Sequence, residues 1–183
     1  MATATQTRYT PEDLLTIQDR PMPELVDGQL LEREMGQRSD SIAATFLILL
    51  GVFVREHGLG LVNGAQGSYQ IFPDEPNKVR IPDASFTRKE RVPAGGPFEG
   101  HGKIAPDLVI EVTSPNDTHL TVQAKVNDYL AAGVPLIWVA EPETKTVQVF
   151  RRNHTGVLLF VGDVLDGEEI LPGFRCEVAS LFA

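Results

Sequence analysis

The stretch Ala105-Pro106-Asp107-Leu108-Val109-Ile110-Glu111-Val112-Thr113-Ser114-Pro115 decides the fold. Residues 106–113 read as a central strand that is apolar on both faces, the pattern of a strand covered on both sides. Glu111 interrupts it. A carboxylate inside a buried strand is costly unless something pairs with it. Downstream, 118–132 reads as a helix ended by Gly133, and 136–140 as a second buried strand that includes Trp138 as a core residue. Together the three segments form a βαβ unit. Further on, 147–151 and 157–161 form a terminal pair of strands, and Asp166-Gly167 and Pro172-Gly173 mark turns.

Upstream of the central strand, 93–103 is rich in Gly and Pro and is expected to be a functional loop or lid. Residues 79–87 read as a strand, with Pro82 assigning it to an edge or a strand entrance. Residues 61–62 and 68–72 read as short strands. Ile42, Phe46, Leu49, Leu50 and Phe53 recur at helical spacing, so 39–56 is a helix capped by Ser39 or Asp40 and closed at His57-Gly58. Residues 24–32 read as a β-hairpin turning at Asp27-Gly28. Pro11-Glu12-Asp13 opens a short helix over 11–15. The fold class is therefore α/β (α+β), a mixed β-sheet flanked by helices. One domain is expected over 11–183, behind a disordered polar tail at 1–10.

Composition sets bounds. A chain of 183 residues with 42 % hydrophobic and 22 % charged residues suits one globular domain. The longest apolar run, 42–54, is too short for a bilayer span, so no membrane partner is expected. A single cysteine, Cys176, excludes an internal disulfide and fits a reducing compartment, so a cytoplasmic location is expected. The net charge is −9, from 25 acids and 16 bases. That balance argues against nonspecific DNA binding through Lys and Arg. It leaves room for a metal site, which needs acids.

The chemistry is sought in three residues. Glu111 is the most anomalous. Asp83 follows Pro82 and stands opposite Glu111 if 79–87 lies beside the central strand; otherwise it is a turn aspartate. Two carboxylates so placed raise one another's pKa unless a cation lies between them, and Mg²⁺ suits such a pair. Lys125 flanks the apolar face formed by Val122, Val126, Tyr129 and Leu130, and either points back to the central strand or snorkels into solvent. Asp107 shares a face with Glu111 but lies four residues away, about 13 Å along an extended strand. It is either a second metal ligand or a strand-entry residue. His57, His101, His119 and His154 have no metal-ligand spacing and are expected at the surface or in loops. Glu24 and Glu32 flank the hairpin; either reaches the site or, by default, is a turn-flanking surface acid. No phosphate-binding glycine loop, dinucleotide signature or nucleophile elbow is present.

At these residues the chain resembles the Uma-type endonuclease family, within the restriction-endonuclease-like PD-(D/E)XK superfamily. The resemblance is carried by Arg80-Ile-Pro-Asp-Ala-Ser-Phe86, by 105–115, by 125–134 with Tyr129 and Gly133, by Leu171-Pro-Gly-Phe174 and by Glu24-Leu-Val-Asp-Gly28. It implies a mixed sheet with flanking helices and a divalent-metal site, with Asp83 and Glu111 in the two acidic positions. The superfamily's lysine two residues after the second acid is replaced by Thr113. Related proteins draw the lysine from the next helix, which points to Lys125.

The expected function is Mg²⁺- or Mn²⁺-dependent endonucleolytic hydrolysis of DNA. In this reading Asp83, Glu111 and Asp107 face the metal, and Asp83, Glu111 and Lys125 carry catalysis. Pairing into a homodimer is compatible with cutting both strands. Two other readings stand beside it: a nuclease-fold interaction module without chemistry, and a hydrolase of another phosphorylated substrate.

Overall fold

A computed structural model describes residues 8–17, 22–33 and 36–183. The expected tail falls largely outside these residues. Within them, the Tyr9 amide donates to the Gly28 carbonyl and Thr10 caps α1 (Pro11–Thr16) through a reciprocal pair of hydrogen bonds with Asp13.

A six-stranded sheet organises the chain in the order β3 (Gly60–Gly64), β4 (Ala84–Arg88), β5 (Leu108–Val112), β6 (Leu136–Glu141), β7 (Thr146–Arg151) and β8 (Gly156–Leu159). Only the β5–β6 pair is parallel. It is joined by α3 (His119–Ala131), as the βαβ reading requires. The central strand alternates strictly. Leu108, Ile110 and Val112 pack with Phe46 and Leu50 of α2 (Gln37–His57), together with Trp138 of β6. Val109 packs on the opposite face with Val126 and Tyr129 of α3. Both faces of β5 are therefore covered, and Glu111 is carried into the α3 side.

A smaller hairpin, β1 (Glu24–Val26) and β2 (Gln29–Leu31), turns at Asp27 (φ 52°) and Gly28 (φ 76°), the left-handed pair such a two-residue turn demands. Leu25 exchanges both backbone hydrogen bonds with Val79 and joins Leu14, Val79 and Ile81 in a third apolar cluster. This contact fastens the hairpin to the segment entering β4.

Four elements differ from the sequence reading. The 79–87 strand begins only at Ala84, because Pro82 has no amide to contribute and splits the run. Residues 68–72 form no strand: Tyr69 makes isolated bridges to Arg80 and Gly102. The C-terminal stretch read as turns contains an antiparallel pair, β9 (Val164–Asp166) and β10 (Arg175–Glu177), followed by α4 (Val178–Leu181). Lastly, α2 starts at Gln37 behind Gly36, without a side-chain cap. The Ser39 hydroxyl instead donates to the Thr113 carbonyl at 2.8 Å, fastening α2 to the end of β5.

The 21 residues of α2 also correct the expectation that no segment is long and apolar enough to cross a membrane. In this fold the helix lays Ile42, Ala43, Phe46, Leu50 and Val54 on the sheet and turns Ile48 and Val52 to solvent.

Candidate active site

The register of β4 and β5 builds the site. Ala84 pairs with Ile110, and one further step of the same register sets Asp83 across from Glu111. The Asp83 amide donates to the Ile110 carbonyl (3.1 Å), and its carboxylate Oδ2 accepts from the Val112 amide (2.7 Å). Asp83 thus continues the ladder with its side chain where β4 itself has not yet begun. Both carboxylates are buried.

Lys125 points back to the central strand and does not snorkel into solvent. From α3 its Nζ reaches Glu111 Oε2 at 3.0 Å. Glu111 Oε1 accepts from the Tyr129 hydroxyl at 2.9 Å. Lys125 and Tyr129 are one helical turn apart on α3, so a single helix face holds both oxygens of Glu111. Arg33, just past β2, donates from Nη2 to Asp83 Oδ1 at 2.6 Å and from Nη1 to the Ala65 carbonyl at 3.0 Å.

Arg33 has no counterpart in the sequence reading. Glu24 reaches the site; it is 2 % exposed, not the surface acid that its place beside a turn makes the default. Its Oε1 accepts from the Ile81 amide (3.0 Å) and lies 3.5 Å from Lys125 Nζ. Its Oε2 accepts from Arg80 (2.8 Å). Arg80 also grips Asp128 of α3 through Nε and Nη2. A buried chain of charges, Lys125–Glu24–Arg80–Asp128, therefore ties the hairpin, the entry to β4 and the helix to one another. Two sequence signals touch Glu24, the apolar Leu25-Val26 beside it and its place in the Glu24-Leu-Val-Asp-Gly28 segment of the resemblance; neither fixes the burial of the hairpin.

Asp107 is not brought to this place. It lies at the other end of β5, where its carboxylate accepts from the Arg88 amide (2.9 Å) and pairs with Arg91 (2.7 Å). Strand length separates it from the Asp83–Glu111 end, and its acceptors are taken up in holding β4 to β5. The 93–103 loop is also elsewhere: it borders a separate pocket beside Tyr69 and does not line the site. His101 lies in this loop as expected but is buried, bridging Ser68 Oγ and the Pro11 carbonyl at 2.8 Å each.

The site opens into a cavity of about 710 Å³ between the β1–β2 hairpin and the β5–α3 connection. Among its charges Asp83, Glu111 and Glu24 pair with Arg33, Lys125 and Arg80, while Glu32 and Asp117 also line it and leave the cavity acidic. Burial, then the neighbouring Glu111, push the Asp83 carboxyl up to about 7, against the opposing pull of Arg33, the Val112 amide and Lys125. Burial alone would lower the Lys125 pKa, but Glu111, Glu24 and Asp83 outweigh it and hold the ammonium above the usual lysine range. Burial would raise that of Glu24, but Lys125, Arg80 and the Ile81 amide together hold it below the usual carboxyl range.

This donor set fits a divalent cation of the Mg²⁺ type. Burial is the main cause of the raised pKa of Asp83 and the Glu111 charge adds to it; a bound cation would offset both, and Mg²⁺ accepts one or two carboxylates while keeping several waters. Among the described residues no group of three or more His, Cys, Asp or Glu side chains is gathered for an ion.

The fold has solved relatives. A structure described as a "putative nuclease belonging to DUF820" from Anabaena variabilis ATCC 29413 superposes with a TM-score of 0.78 at 19 % identity, covering 94 % of this chain and 97 % of that one. At that identity the likeness shows the fold. No curated protein matches the chain. A family model described as "Uma2: Putative restriction endonuclease" matches residues 11–179, nearly the whole of the sequence. On that match the chain belongs to the Uma2 family.

Proposed function

We propose that this protein is a divalent-metal-dependent endonuclease that hydrolyses phosphodiester bonds in DNA. The observation that carries the reading is the convergence of Asp83 and Glu111 from adjacent strands, with the Lys125 ammonium 3.0 Å from Glu111, at the wall of an open cavity. Asp83 and Glu111 are the residues that hold Mg²⁺ or Mn²⁺. Bound there, the ion supplies an acidified water and positive charge at the phosphate.

The chain's own residues do the rest. Tyr129 and Lys125 fix the two oxygens of Glu111, so the carboxylate does not rotate as charge changes around it. Lys125 stays protonated and offers N–H donors to the charge that builds on the phosphoryl oxygens in the transition state. Glu24 Oε1, 3.5 Å from the same Nζ, restrains that ammonium. Residues 114–117, between β5 and α3, border the cavity and shape the approach of a backbone strand.

Supercoiled plasmid incubated with Mg²⁺ tests the reading. Asp83→Asn and Glu111→Gln are expected to abolish nicking. Lys125→Met should slow it by about 10²–10³, the usual loss on removing a preorganised donor. Cleavage by all three variants at the parental rate would reject the assignment.

The net charge of −9 favours one other reading, a binding module that retains the fold without hydrolysis. Calorimetric titration with Mn²⁺ separates the two: a module without a metal site gives no saturable heat.

A further inference from the structure

Among the described residues two cations touch the carboxylate pair, and they are held very differently. Lys125 projects from the body of α3 and lies between two carboxylates. Arg33 comes from a segment outside helix and sheet, two residues past β2, and is anchored by one carboxylate and one backbone carbonyl. Its side chain is only 8 % exposed, and it borders the same cavity as Glu111 and Lys125. A guanidinium at 2.6 Å from Asp83 fills the position a metal ion would need, and a divalent ion on Asp83 repels it. Guanidinium is also the side-chain group best matched to a phosphodiester, which it binds through two parallel N–H donors.

We propose that Arg33 is an exchangeable partner of Asp83: it holds the carboxylate in the metal-free protein, yields it to the divalent ion, and turns its guanidinium to a DNA phosphate in the cavity. This rests on the reading of Asp83 and Glu111 as metal ligands. The exchange keeps the buried carboxylate paired at every stage, so the empty site never carries an uncompensated charge. It also links metal and DNA. Each releases Arg33 from the other's competitor, and linkage makes the coupling reciprocal.

The test uses Arg33→Gln in the full chain, with Arg33→Met as a second variant of the same expectation should the first fail to fold. Calorimetry with Mn²⁺ at pH 8 reads metal affinity, and binding of a short DNA duplex in Ca²⁺ reads phosphate contact. Loss of Arg33 is expected to tighten Mn²⁺ binding about 10-fold, within the usual range of site-to-site coupling. It should weaken DNA binding and lower the slope of log affinity against log salt by about 1. A residue that merely supports the fold would not move the two affinities in opposite directions. Mn²⁺ affinity unchanged or weakened, or DNA affinity undiminished, overturns the exchange. The metal reading itself survives that result if the parent's Mn²⁺ heat vanishes in Asp83→Asn. If no Asp83-dependent heat exists in any of the proteins, both fall together.

Discussion

Asp83 carries the greatest electrostatic burden of any residue in the site. Its carboxyl titrates near 7 in the fold, against about 3.9 in an unfolded chain. The folded protein therefore keeps this proton where the unfolded chain has already lost it. The group's contribution to stability is fully present below about pH 4 and is lost as pH rises through about 7. Asn at this position imitates the neutral form, so thermal unfolding of Asp83→Asn in the absence of metal should fall less steeply than the parent between those limits. Melting temperatures recorded across that range with chelator check the sign. A steeper fall in the variant would contradict it. Tyr129→Phe isolates the other half of the pair. It removes a buried donor to a carboxylate and should cost about 1.5–3 kcal/mol in denaturant unfolding.

At the level of single residues, Glu111 stood out because an acid breaks an apolar strand, Asp83 after Pro82 stood level with a turn aspartate, and Lys125, at the border of an apolar helix face, was singled out through the resemblance and the strand that precedes its helix. Glu24 broke no pattern. Its burial comes from Leu25 pairing with Val79, a contact between segments more than fifty positions apart that no local window contains. Arg33 was invisible for the same reason, since its partner Asp83 is 50 residues away. Asp107 misled because strand periodicity reports a shared face and says nothing about which end of the strand matters.

At the scale of elements, the hairpin is joined to the entry of β4 by the Leu25–Val79 backbone hydrogen bonds and one small apolar cluster, and buried polar groups tie both to α3. Arg80 is their common point, bonded to Glu24 and Asp128 with its side chain 7 % exposed. Removing one member of such a buried network leaves its partners uncompensated, so Arg80→Ala should destabilise the fold by about 3–5 kcal/mol in urea denaturation. A loss below 1 kcal/mol would mean the network is wet and weak. On the other face, Phe46 lies in full burial between α2 and Trp138, with ring centroids 6.2 Å apart. Local propensity recovered α1, α3 and the sheet strands β5 to β8 because their apolar periods are undisturbed. It failed where tertiary demand overrode a local rule: Ser39 gave up its cap to hold β5, and Tyr69 was drawn into single bridges by two neighbours instead of one ladder.

For the whole molecule, the question is how a chain of net charge −9 approaches a polyanion. The carboxylates that line the cavity, Glu24, Glu32, Asp83, Glu111 and Asp117, outnumber Arg33, Arg80 and Lys125, so the metal-free surface repels DNA there. A bound divalent ion offsets that excess of negative charge. DNA retention is therefore expected in Ca²⁺ and absent in EDTA, as read by gel mobility shift. Equal retention in both would assign DNA binding to a surface other than this one.

The central claim is that Asp83 and Glu111 together hold one divalent ion. A crystal of the parent protein soaked in Mn²⁺ and measured for anomalous scattering tests it without reference to substrate. The account predicts a single strong peak coordinated by one oxygen from each of the two carboxylates, and its disappearance in Asp83→Asn. A peak bound elsewhere, or a density map in which Asp83 still pairs with Arg33 and no ion is present at saturating Mn²⁺, would contradict it.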